Sequence, residues 1–233
     1  MNDTQSLYEK VRSEIKFNII NGKYPMGKRL KAKDLAEELY VSRTPINKAL
    51  SSLYDEGLLN YNRNVGYSVR IITVDDIEEI FKIRTALDVL SFREASLNMR
   101  ENDFLYMRRL LDKADLASKN GEINEIRAAA KLFNEAIYDF ADMPRLTMII
   151  ANLNDYLEVL RKLSFDGRSE NSRRKLSIEE HSKILDLMEA KDFNSLEEFI
   201  IKHLEGSKKY IIGESYKYKD FVLNEKEEDI NEE

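Results

Sequence analysis

Apolar residues recur at helical spacing in three short segments of the first 60 residues. They are Leu7, Val11, Ile15 and Ile19 in the first segment, Leu35, Ala36 and Leu39 in the second, and Ile46, Ala49, Leu50 and Leu53 in the third. Steps of three and four residues are typical of a helix with one buried face. Ser42 is a suitable N-cap for the third helix, Pro45 suits its first turn, and Gly57 suits its end. The pattern therefore predicts three helices.

The stretch that follows, "LLNYNRNVGYSVRII", changes from helical spacing to alternation. Apolar and polar residues alternate at Tyr67, Ser68, Val69, Arg70 and Ile71. Alternation of this kind predicts a half-exposed strand, and Asn64 and Gly66 predict a turn before it. Three helices followed by a β-hairpin are the elements of a winged helix-turn-helix, which we assign to residues 1–72.

Residues 73–222 read as a run of helices without a strand pattern. Thr73 can cap the first of them, with acidic residues in its opening turn. Breaks are predicted at 120–121, 143–144, 164–172 and 191–192. The segment is predicted to form six or seven helices in an all-α bundle. The last segment, 223–233, is acidic and is predicted to be a disordered tail. The fold class is therefore mainly α, with an N-terminal winged helix-turn-helix and a C-terminal helical bundle.

Charge and composition narrow the possible partners. The chain of 233 residues carries a net charge of −6, but residues 1–72 hold 12 Lys and Arg against 8 Asp and Glu, so this segment is positive. A basic segment on an acidic body indicates a polyanionic partner for the first segment alone. The absence of cysteine, of an N-terminal signal pattern and of a long apolar run predicts a cytoplasmic protein without a membrane span.

The outward face of the third predicted helix carries side chains suited to DNA. Thr44, Asn47, Lys48 and Ser51 could hydrogen-bond to base edges in a major groove. Arg43, near the start of the helix, suits a phosphate. The same residues also fit an ordinary solvated helix face, and the pattern by itself leaves both interpretations open.

The segment "PMGKRLKAKDLAEELYVSRTPINKALSSLYDEGLL" resembles the N-terminal domain of GntR-type bacterial transcription regulators. The resemblance spans most of residues 7–72 and is most specific at "SRTP". Together with the helix face, it implies a DNA-binding set of Lys33, Ser42, Arg43, Thr44, Asn47, Lys48, Ser51, Arg63 and Gly66. The family usually has Arg-Glu where this chain has Asn47-Lys48. Asn pairs well with adenine but cannot make the bidentate guanine contact of Arg, so the operator sequence stays open.

Four polar residues of the body fall on stripes that are otherwise apolar. Arg84 and Asp88 lie one turn apart in the first helix of the body, and the only two histidines, His181 and His203, lie on the stripes of later helices. A buried charge is costly unless it is paired. These groups therefore either satisfy one another or line a pocket that receives a ligand.

The body resembles the FCD ligand-binding domain of the FadR-type GntR subfamily, through segments such as "FNEAIYDFADMPRL" and "EHSKILDLMEA". Many FCD domains bind a divalent metal through one Asp and three His, but two of those positions read Ala130 and Asn134 here. We therefore predict no metal cofactor; a reduced metal site would have only His181 and His203. The predicted effector-binding set is Arg84, Asp88, Asn134, His181 and His203.

The resemblance and the residues together predict a homodimeric transcription regulator, acting as a repressor, that binds double-stranded operator DNA. A small anionic metabolite, such as a carboxylate, would bind the body and control the affinity for DNA. Two alternatives remain: a DNA-binding regulator that has lost its effector, and a helical protein-interaction module that does not bind DNA. An enzyme is not expected, because neither a cysteine nucleophile nor a Gly-rich phosphate loop is present.

Overall fold

A computed structural model describes residues 6–165 and 171–215 of the chain. The N-terminal elements are α1 Leu7–Ile20, β1 Arg29–Leu30, α2 Ala32–Glu38, α3 Arg43–Asp55, β2 Leu59–Asn62 and β3 Gly66–Val69. The body contains α4 Val74–Asn98, α5 Glu101–Asn120, α6 Ile123–Ala141, α7 Pro144–Phe165, α8 Asn171–Glu189 and α9 Phe193–Ser215. The predicted tail, 223–233, lies outside the described residues.

The N-terminal segment has the predicted three helices and hairpin, with one addition. The two residues of β1 pair with β3, which makes an antiparallel sheet of order β1-β3-β2. In the hairpin itself Leu59 lies opposite Val69, and Asn62 lies opposite Gly66. Alternation cannot reveal a strand of two residues, so β1 was not predicted.

The helical faces of this segment pack as their spacing predicts. All four residues of the predicted apolar stripe of α3 are fully buried, and Val11, Ile15 and Ile19 of α1 are buried as well. Leu7 differs from the rest of its stripe, since it is 56% exposed in the first turn of α1. That turn is fixed by a capping box instead, in which Ser6 Oγ accepts from the Glu9 backbone N–H and the Glu9 side chain accepts from the Ser6 backbone.

The body has six helices within the described ranges, where six or seven were predicted. Thr73 and Asp76 cap α4 reciprocally: Thr73 Oγ1 accepts from the Asp76 backbone N–H at 3.1 Å, and Asp76 Oδ2 accepts from the Thr73 backbone N–H at 2.9 Å. Gly121 adopts a φ of +75° just after α5, as a helix C-terminus favours. The break between α4 and α5 contains neither Gly nor Pro, and no sequence signal indicated it.

The chain divides into two compact units. One contains residues 6–77, 154–165 and 211–215 of the described part, and the other contains 78–153 and 171–210. The last part of α7 therefore belongs to the same unit as the N-terminal helices. Within that unit Lys16 forms an ion pair with Asp155, and the Tyr156 hydroxyl donates to the Glu56 carbonyl oxygen at 3.4 Å. The boundary after residue 72 stays a prediction.

Candidate DNA-binding surface and effector cluster

Helix α3 presents an apolar face to the core and a polar face to solvent. Ile46 and Leu50 are fully buried, whereas Thr44, Asn47 and Ser51 are exposed on the other side. The sequence causes this division, because the apolar residues recur at i, i+3, i+4 and i+7. All but one of the predicted DNA-binding residues are exposed: Lys33, Ser42, Arg43, Thr44, Asn47, Lys48, Ser51 and Arg63.

The start of α3 keeps its hydrogen-bonding groups available. Ser42 occupies the N-cap position with extended backbone angles, but its side chain makes no capping hydrogen bond. The expected capping role of its hydroxyl is therefore wrong in this structure. With the first-turn N–H groups and the exposed Arg43 beside it, this end of the helix suits a phosphate.

Two lysines of the predicted DNA-binding set already contact another side chain of the protein. The Lys48 ammonium lies 4.3 Å from the centroid of the Tyr8 ring, which places it toward the beginning of α1. Lys33 lies 3.9 Å from the Glu37 carboxylate one turn along α2, and both side chains are well exposed. Exposed pairs of this kind are weak, so each lysine remains available to a phosphate.

The hairpin of β2 and β3 is the wing of this domain, and its tip is an ordered turn. The Val65 N–H donates to the Asn62 carbonyl oxygen at 3.1 Å, and the Asn64 N–H donates to the Asn62 side-chain oxygen at 2.9 Å. Gly66 follows with a φ of +90°, which an L side chain rarely adopts. The turn leaves the Arg63 side chain exposed, while Gly66 is half-buried.

In the body, Arg84 and Asp88 form a buried ion pair. Arg84 Nε donates to Asp88 Oδ2 at 2.9 Å, and the Tyr138 hydroxyl donates to Asp88 Oδ1 at 2.9 Å. Burial is the largest single influence on the pKa of Arg84 and acts to lower it, but the charges and hydrogen bonds of Asp88 and Tyr138 together outweigh burial, so the pKa is raised. Each oxygen of the Asp88 carboxyl group therefore receives one donor.

The two histidines lie side by side in the same unit. Their ring centroids are 4.9 Å apart, and the His181 ring stacks on Phe133 at 4.8 Å with an interplanar angle of 10°. His203 Nδ1 lies 2.7 Å from Glu180 Oε2, so that its N–H donates to this carboxylate. Both histidines are buried, as their positions on inward stripes predicted, and the packing of the helices brings their rings together.

Several residues that contact this cluster could not be predicted from the sequence. Tyr138 and Phe133 continue the inward face of α6, where Phe133 looks like ordinary core and only the Tyr138 hydroxyl hints at a polar role. Glu180 is the chain neighbour of His181, yet it binds His203, and one sequence cannot reveal such a pairing across two helices. The predicted Asn134 lies half-buried next to Phe133.

The residues present do not fit the metal site that FCD domains often carry. The two remaining positions of that ligand set hold Ala130 and Asn134, neither of which can supply the missing carboxylate or imidazole. Within the described ranges, no group of three or more His, Cys, Asp and Glu is placed to hold an ion. Two imidazoles without a carboxylate ligand make a poor site for Zn²⁺ or a harder ion.

A surface groove of about 420 Å³ lies along α8 and α9, apart from these residues. Its lining includes Lys183, Asp192, Phe199 and Lys202, and none of the predicted effector residues. The groove therefore gives no support to the predicted effector cluster.

Among the helices of the described ranges, none combines the length and the apolar composition that a membrane span needs.

Comparisons with known families divide the chain as its sequence motifs do. The family model for bacterial regulatory proteins of the gntR family matches residues 7–69, and the FCD domain model matches residues 79–206. The first match contains the α3 surface and the wing, and the second contains Arg84, Asp88 and both histidines.

Two relatives and one solved structure show which kind of protein this chain is similar to. The chain is 27% identical to the uncharacterized HTH-type transcriptional regulator YdhC of Bacillus subtilis (strain 168) over 197 residues, 84% of this chain and 87% of that protein. It is 30% identical to the HTH-type transcriptional regulator McbR of Escherichia coli (strain K12) over 148 residues, 64% and 67% of the two chains. The solved structure of E. coli McbR/YncC superposes with a TM-score of 0.75 at 25% identity, covering 92% of this chain and 100% of that one.

Proposed function

Because the chain belongs to the gntR family of bacterial regulatory proteins and carries an FCD domain, we propose that it represses its target genes by binding a specific operator, and that a small metabolite controls this binding. The family identifies a DNA-binding transcription regulator and not an enzyme. The observation that carries the proposal is the exposed polar face of α3, whose opposite face is buried in a core of three helices. Such a regulator would act in the cytoplasm, where bacterial DNA lies.

The proposed DNA contacts follow from the exposed residues. Asn47, Thr44 and Ser51 would meet base edges, because they lie on the outer face of α3 and combine donors with acceptors. Arg43 and Arg63 would contact phosphates, which supply affinity that falls with salt and carries no sequence information. Asn47 replaces the arginine that is usual in the family, so adenine is the base that it favours.

A homodimer is part of the proposal. Operators of helix-turn-helix regulators are two-fold symmetric, and a second copy would place a second α3 in the adjacent major groove. A ligand in the body would change the affinity for DNA only through a difference in its own affinity for the two arrangements of the dimer.

For the effector we propose a small anion, such as a carboxylate, held near the two histidines. Protonated imidazole and guanidinium groups bind carboxylates strongly when water is excluded, and His181, His203 and Arg84 are all less than 10% exposed. The ring of Phe133 would form an apolar wall of this site through its stack on His181.

One observation favours the alternative that the effector site has been lost. The Asp88 carboxylate is satisfied by Arg84 and Tyr138, and His203 is bonded to Glu180, so the cluster holds together without a ligand. Native mass spectrometry and thermal unfolding with a panel of small carboxylates separate the two possibilities. A carboxylate that raises the Tm of the wild type, and not that of His181→Ala, supports an effector site, whereas no shift with any compound supports the loss.

The DNA proposal is tested with the region upstream of the chain's own gene. Binding of a labelled duplex is measured by fluorescence anisotropy at several salt concentrations. We expect Arg43→Ala to weaken binding to operator and random duplex alike by about tenfold, whereas Asn47→Ala should reduce mainly the preference for the operator. Arg109→Ala removes an exposed arginine from α5 and serves as the control. If Arg43→Ala and Arg109→Ala behave alike, α3 is not the DNA-binding element.

A further inference from the structure

Three tyrosines connect the end of α3 with the wing. Tyr54 lies in the last turn of α3, Tyr61 lies in β2 and Tyr67 lies in β3. Tyr54 and Tyr61 are 47% and 52% exposed, and Tyr67 is half-buried. Side chains this exposed contribute less to a core than buried ones, so a core role does not account for three large rings at this place.

The rings contact one another as a closed set. Tyr61 and Tyr67 are opposite each other across the two strands, with ring centroids 4.8 Å apart. The Tyr54 ring meets both of them edge-on, at 6.2 Å from Tyr61 and 6.4 Å from Tyr67. Aromatic pairs at these separations attract one another, and cross-strand pairs of this kind fix the register of a hairpin.

The wing needs this support because its own stability is low. Strands β2 and β3 have four residues each, and a short hairpin is at best marginally stable in water. The buried end of the hairpin is held by Leu59 and Val69, which are opposite each other in the core. Toward the tip, the Tyr61–Tyr67 pair and its contacts with Tyr54 join the hairpin to the helix that carries the proposed base contacts.

We propose that Tyr54, Tyr61 and Tyr67 are positioning residues for DNA binding. They fix the wing against α3, so that Arg63 at the wing tip reaches the DNA backbone while Asn47 and Ser51 meet the bases. Binding of both elements at once then requires no further ordering of the hairpin. This inference rests on the proposed contact of the wing with DNA.

A double-mutant cycle tests the proposal with the full-length protein and its operator duplex. Arg63→Ala is measured in the wild type, in Tyr54→Ala and in Tyr54→Phe. We expect Arg63→Ala to raise Kd about fivefold in the wild type and in Tyr54→Phe, which keeps the ring, but less than twofold in Tyr54→Ala. A merely stabilising role of Tyr54 would leave the effect of Arg63→Ala the same in all three.

Two further variants distinguish the positioning role from a general effect of losing a tyrosine. Tyr106→Ala removes an equally exposed tyrosine, 45% exposed on α5, and should leave the Arg63 effect unchanged. Tyr67→Ala breaks the same cluster from the wing side and should reproduce Tyr54→Ala, with folding of each variant checked by circular dichroism. Additive effects of Arg63→Ala and Tyr54→Ala would overturn the positioning role alone. If Arg63→Ala has no effect in the wild type, the proposed wing contact is wrong and the inference falls with it.

Discussion

The N-terminal unit and the helical body use polar residues in opposite ways. On α3 the candidate functional residues are exposed, as Thr44 and Asn47 are. In the body they are buried and bonded to one another, as in the Arg84–Asp88–Tyr138 network. DNA is a large partner that meets a surface, whereas a small ligand must be enclosed, and an enclosed polar group needs a partner even before the ligand arrives.

This difference decides how each site responds to substitution. Removing an exposed side chain changes what the surface contacts and leaves the fold intact. Removing one member of a buried network leaves the others unsatisfied and lowers the stability of the whole unit. Substitutions of Asp88 and Arg43 test the contrast, and one of Gly57 tests the packing of the turn after α3. They follow in order of expected effect on the free energy of unfolding.

The largest effect is expected for Asp88→Ala. It leaves the Arg84 guanidinium buried without its carboxylate, and breaking a buried pair in this way costs about 3–5 kcal/mol. Denaturant unfolding measures the change. Asp186→Ala is the control, because it removes an exposed partner of Arg108 and should cost less than about 1 kcal/mol. Equal costs for the two would show that the buried network adds nothing beyond a surface pair.

A smaller loss of stability is expected for Gly57→Ala, just after α3. Gly57 has a φ of +80°, and a Cβ at this position would lie 2.0 Å from the Tyr156 hydroxyl oxygen. The backbone strain alone costs about 1–3 kcal/mol, and the collision adds to it. Gly22→Ala provides the strain without the collision, because nothing lies within 4 Å of its Cβ position. Thermal unfolding should rank Gly57→Ala well below Gly22→Ala; a reversed order would contradict the packing of Tyr156 on this turn.

The smallest effect is expected for Arg43→Ala, the variant that should weaken DNA binding. Arg43 is exposed at the start of α3, so the free energy of unfolding should stay within about 0.5 kcal/mol of the wild type. Denaturant unfolding of the free protein is the measurement. A loss of several kcal/mol would mean that Arg43 is structural, and the contrast between exposed and buried polar residues would not hold for it.

Much of the fold could be predicted from the spacing of apolar residues and from local capping signals. The helical stripes of α1 and α3, the capping role of Thr73 and the break at Pro144 all appear where local signals placed them. Two features escaped because they carry no local signal. Strand β1 has two residues and exists only through its pairing with β3, and the break before α5 lacks both Gly and Pro.

The candidate sites show the same limit. Exposure of the α3 face follows from the helix and its core, so the DNA-binding set could be proposed from spacing and resemblance. The pairing of Glu180 with His203, the contact of Tyr138 with Asp88 and the position of Lys48 over Tyr8 could not. Each of these joins residues on different helices, and side-chain direction on one helix does not tell which neighbour it meets.

By itself, then, the sequence determined the helices, the wing hairpin, the amphipathic α3 and the inward position of the two histidines, because these depend on the spacing of apolar residues along one element. The tertiary structure alone decided which inward groups meet. It joined Arg84, Asp88 and Tyr138, set Glu180 against His203, brought three tyrosines together between α3 and the wing, and packed Tyr156 on the turn at Gly57. The physical reason is that a buried or crowded side chain takes its partner from another element, and that choice is made only when the elements pack.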